Sequence, residues 1–129
     1  DILLVGTGPI INEAVLASQK LYSRGIKLAV VNLGSIVPLD KQFLGLQAKK
    51  DYKAWIVLEE HSIIGGLGSA ILDWINESNI ENIPSIHKLG IPNNFIHNLG
   101  KQEYIRQHLG IDSSGICKLA DQIIANASK

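Results

Sequence analysis

Apolar and polar positions follow two rhythms that alternate along this chain. Ile2-Leu3-Leu4-Val5-Gly6, Leu28-Ala29-Val30-Val31-Asn32-Leu33, Ala54-Trp55-Ile56-Val57-Leu58-Glu59 and Ser85-Ile86-His87-Lys88-Leu89-Gly90 are short runs rich in apolar and β-branched residues. Runs of this length bounded by turn residues predict strands. The segments between them carry apolar residues at helical spacing. From Pro9 to Arg24 the stripe is Ile10, Ala14, Ala17 and Leu21, and Gly25 supplies a stop. Pro38-Leu39-Asp40 opens a short helix through about Lys49, with Asp40 as its cap. A third helix shows Leu67, Ala70, Ile71, Trp74 and Ile75 on one face. Ile91-Pro92-Asn93-Asn94 reads as loop, followed by a short helix from Lys101 to Leu109 that ends at Gly110. Asp112-Ser113-Ser114 then caps a last helix with Ile116, Leu119, Ala120, Ile123 and Ile124 on its stripe.

Strands separated by helices of this length imply βαβ units. The expected fold class is α/β, a three-layer α/β/α arrangement around a mainly parallel sheet of about four strands. Right-handed crossovers with the first strand central predict the order 2-1-3-4. Residues 1–129 are expected to form one domain, since no repeat, low-complexity tract or linker interrupts the pattern. Trp55 and Trp74 are expected in the core.

Composition narrows the function classes. With 46% hydrophobic residues, 19% charged residues and zero formal net charge, the chain can bury a core and offers no basic surface for nucleic acid. No apolar run approaches the roughly 18 residues of a membrane span. The lone Cys117 cannot form an internal disulfide and fits a reducing, cytoplasmic compartment. The chain begins at Asp1 and contains no methionine, which predicts a trimmed product or a piece of a longer polypeptide.

Two glycine turns are the candidate sites. Glu59-Glu60-His61-Ser62-Ile63-Ile64-Gly65-Gly66-Leu67-Gly68 would leave the third strand at the carboxyl edge of the sheet, where open α/β sheets bind ligands. Glu60, His61, Gly65, Gly66 and Gly68 are therefore candidates for an interface or anion-binding loop, with Gly66 a position that can need positive φ. Gly6, Thr7 and Gly8 form a weaker candidate at the first strand-to-helix turn. A dinucleotide fingerprint would require glycine where Ile11 stands, so a tight turn without ligand is favoured there. His87, His97 and His108 share no metal-ligand spacing with His61, and Cys117 lies on an apolar stripe. A phosphoacceptor domain would need an Asp ending the third strand, where Glu59-Glu60 stands.

Taken in order, these stretches resemble the C-terminal domain of transketolase-type enzymes. The resemblance is carried by Ile2–Gly8 with Glu13-Ala14, by Val31–Asp40 and above all by Val57–Ala70. Leu89–Pro92 and Tyr104–Ile116 continue it. It extends more loosely to deoxyxylulose-phosphate synthases and the beta subunits of pyruvate-type dehydrogenases, which differ where this chain has His61-Ser62-Ile63-Ile64. The resemblance implies a parent enzyme that moves two-carbon ketol units between sugar phosphates with thiamine diphosphate and a divalent metal such as magnesium. It implies partners in the other transketolase domains or subunit, usually within a homodimer. It implies no cofactor, metal or catalytic residue in this chain, because the residues that hold thiamine diphosphate lie in the preceding domains. The family usually adds an antiparallel edge strand before the segment matching Ile2, which is expected to be absent or truncated here. The alternative is a free-standing doubly wound module that binds a phosphorylated metabolite at a helix N-terminus.

Overall fold

The computed structural model describes residues 1–34, 38–62, 65–91 and 102–128. In chain order these form β1 (Ile2–Gly6), α1 (Ile11–Tyr22), β2 (Leu28–Asn32), α2 (Lys41–Ala48) and β3 (Ala54–Ser62). They continue with α3 (Leu67–Ser78), β4 (Ser85–Ile91), α4 (Gln102–Leu109) and α5 (Ser113–Ala127). The predicted elements all appear, with ends shifted by at most three residues. Ser35–Val37, Pro92–Asn94 and Lys101 lie outside the described residues, as does His97.

The four strands form a parallel sheet in the order β2-β1-β3-β4. β1 is central, with Leu4 in register with Val30 on one side and with Ile56 on the other. Five consecutive residues of β1 are buried, as a strand covered on both faces requires.

Side-chain alternation along the strands divides the core in two. Ile2, Leu4, Ala54, Ile56 and Leu58 face Ala14, Ala17 and Leu21 of α1 and Ile116, Ala120 and Ile123 of α5. Leu3, Val5, Trp55 and Val57 face Leu44 of α2 and Leu67, Ile71 and Trp74 of α3. Both tryptophans are core residues, fully buried at 55 and 6% exposed at 74. Each fully buried Leu or Ile contributes about 1.5–3 kcal/mol, so the two stripes rather than helix propensity hold the layers.

This winding places α1 on one face and α3 on the other, although both follow neighbouring strands. The carboxyl ends of β1 and β3 are therefore the point at which the winding reverses, and the sheet opens there. Between Leu58 and Ser62 the pairing of β3 with β4 shifts. Leu58 pairs with Leu89 and Ser62 with Ile91, so three residues of β3 stand opposite one of β4. Glu59, Glu60 and His61 are those three. Bulges of this kind re-aim side chains at sheet edges.

Candidate functional site: the carboxyl edge around Glu59 and Glu60

Glu59 continues the alternation of Trp55 and Val57 and enters the layer holding α3. It is 1% exposed. A buried carboxylate is costly unless its oxygens find donors. Here the donors are the first N–H groups of α3. Leu67 N donates to Glu59 Oε1 at 2.5 Å, and Gly68 N donates to Oε2 at 3.1 Å. The helix start carries a partial positive charge and unsatisfied N–H groups, so the buried charge and the helix end satisfy each other.

Gly66, the residue before α3, has φ of −96°. Its need for glycine is therefore not conformational, and the positive-φ expectation belongs instead to Gly65, at 78°. What Gly66 supplies is room: a Cβ there would overlap Glu59 Oε1 and lie 2.9 Å from its carboxyl carbon. Lys88 of β4 lies across Gly68 and donates from Nζ to Ser69 Oγ at 3.2 Å. Ser69 Oγ also accepts from Gly65 N at 3.1 Å, tying the glycine turn to the first helical turn.

Glu60 leaves toward α4. Arg106 grips it with both ends of the guanidinium, Nε to Oε1 at 2.7 Å and Nη2 to Oε2 at 2.9 Å. The two side chains are 24% and 11% exposed, so solvent screens this pair only in part. The His61 backbone continues β3, and its side chain lies outside what is described.

At the first turn, Gly8 adopts φ of 83°. Ile11, Asn12 and Glu13 N–H groups donate to the carbonyls of Gly8, Pro9 and Ile10. Gly6 O accepts from Leu33 N at 2.9 Å. Ile11 packs against the core instead of leaving space for a pyrophosphate. Both glycine turns thus spend helix-start N–H groups on the chain's own oxygens, the opposite of an open phosphate cradle.

The start of α5 repeats the theme. Asp112 accepts from Gly115 N at 2.9 Å, and Glu13 of α1 accepts from Ser113 N at 3.0 Å. Lys20 of α1 donates to Ser113 Oγ at 2.9 Å. The Asp112 cap was legible in sequence, whereas Glu13, Lys20, Lys88 and Arg106 were not. Their partners lie 93 and 100 residues away for Lys20 and Glu13, and no local pattern marks such pairs.

Among the described residues, no group of three or more His, Cys, Asp or Glu side chains could hold a metal ion. The described acids at this edge do not fit a metal–diphosphate group, which needs carboxylate oxygens free to ligate. Both oxygens of Glu59 and both of Glu60 are already engaged. His87 Nε2 lies 3.2 Å from Ser85 Oγ on an exposed part of β4, away from this edge. Cys117 is buried and directs its thiol to Ala17 O. Among the described residues, no helix is long and apolar enough to cross a membrane.

Together these features define a doubly wound α/β domain in which the helix starts after β1 and β3 are engaged by the chain's own oxygens. The chain belongs to the transketolase C-terminal domain family, whose model matches residues 1–116. It is 34% identical over 118 residues to a 1-deoxy-D-xylulose-5-phosphate synthase of Aquifex aeolicus, covering 92% of this chain and 18% of that protein. With the synthase of the same name from Halothermothrix orenii it shares 35% identity over 124 residues, 96% of this chain and 19% of that protein. A solved structure described as a split gene transketolase, inactive beta4 tetramer, superposes with a TM-score of 0.82 at 26% identity. That match covers 97% of this chain and 39% of the other. The chain thus spans about a fifth of the length of the curated relatives it matches. The curated relatives carry the synthase name and the solved structure the transketolase name.

Proposed function

We propose that this chain is the non-catalytic C-terminal domain or subunit of a thiamine-diphosphate-dependent enzyme of transketolase type. In this reading it contributes to domain packing and dimer assembly, while the rest of the enzyme holds the cofactor and its divalent metal. The family match and the share of the relatives' length support the assignment to a larger enzyme. The absence of a catalytic role rests on one observation above the others: Glu59, the best-buried acid at the ligand edge, has both oxygens bound by the N–H groups of α3. Glu60, His61, Gly65, Gly66 and Gly68 then form a loop whose task is packing. Gly6, Thr7 and Gly8 form a second turn of the same kind.

The parent reaction is proposed as transfer of a two-carbon ketol unit between sugar phosphates. Synthesis of 1-deoxy-D-xylulose 5-phosphate is the competing reaction, favoured by the names of the curated relatives. Assaying the parent enzyme for both products separates them. For the domain itself, calorimetric titration of this chain with thiamine diphosphate and magnesium is the direct experiment. No binding heat is expected, and micromolar affinity would overturn the reading.

A further inference from the structure

We draw no further inference here: the strongest candidate, the cleft between the end of α1 and the start of α5 where Lys20, Arg24 and Lys118 surround Cys117, rests on a lone cysteine beside a helix start, with no second observation that points to a ligand.

Discussion

The carboxylate of Glu59 occupies the space that any side chain at Gly66 would need. A buried acid, a helix start and a glycine are thereby made into one unit, in which each part is tolerable only because of the other two. Its coupling can be measured.

Gly66→Ala is expected to destabilise the domain, because overpacking a filled site typically costs about 1–3 kcal/mol. In a Glu59→Ala background the same substitution should cost much less, since the atoms it would meet are gone. A double-mutant cycle in urea reads the difference as a coupling energy. Additive effects would show that Gly66 is required for some other reason.

Glu59→Gln keeps the shape and removes the charge. One of the two bound N–H groups would then face an amide NH2 in place of an oxygen, and an unsatisfied buried donor costs about 1–3 kcal/mol. A lowered urea midpoint with an unchanged slope is the expected outcome. An unchanged midpoint would mean that the helix start does not depend on the carboxylate.

Arg106→Leu leaves Glu60 half-buried without its guanidinium. Breaking a largely buried ion pair costs up to about 3–5 kcal/mol, and the 24% exposure of Glu60 places this pair below that range. The loss should be local. Hydrogen exchange should quicken across α4 (Gln102–Leu109) and the end of β3, while β1 keeps its protection. Uniform loss of protection would show that α4 is integral to the core.

Gly115→Ala is expected to be more damaging than an ordinary substitution in a helix's first turn. A Cβ at 115 would run into the carbonyl of Gly110, and backbone yields less readily than a flexible side chain. Circular dichroism of α5 and the thermal midpoint check this. A midpoint shift no larger than that of Ser114→Ala, an exposed neighbour, would contradict it.

Much of the architecture was legible in the order of the residues, for a physical reason. Strand and helix periods are local, so Ile2–Gly6 and the Leu67–Ile75 stripe declare themselves within a few residues. The handedness of crossovers then leaves the order 2-1-3-4 as the natural tracing. Asp40 and Asp112 were legible for the same reason, because an N-cap acts on an N–H three residues away.

The candidate edge was legible only as a place. Glu59 and Glu60 are chemically identical neighbours, and composition cannot say that one is sealed beneath α3 while the other is held by Arg106. The pleat sends adjacent side chains to opposite faces, and only the packed layers determine what waits on each. Gly66 shows the same division. The sequence by itself determined that a glycine-rich turn follows β3; the tertiary structure decided that Gly66 makes room for a carboxylate folded back from Glu59.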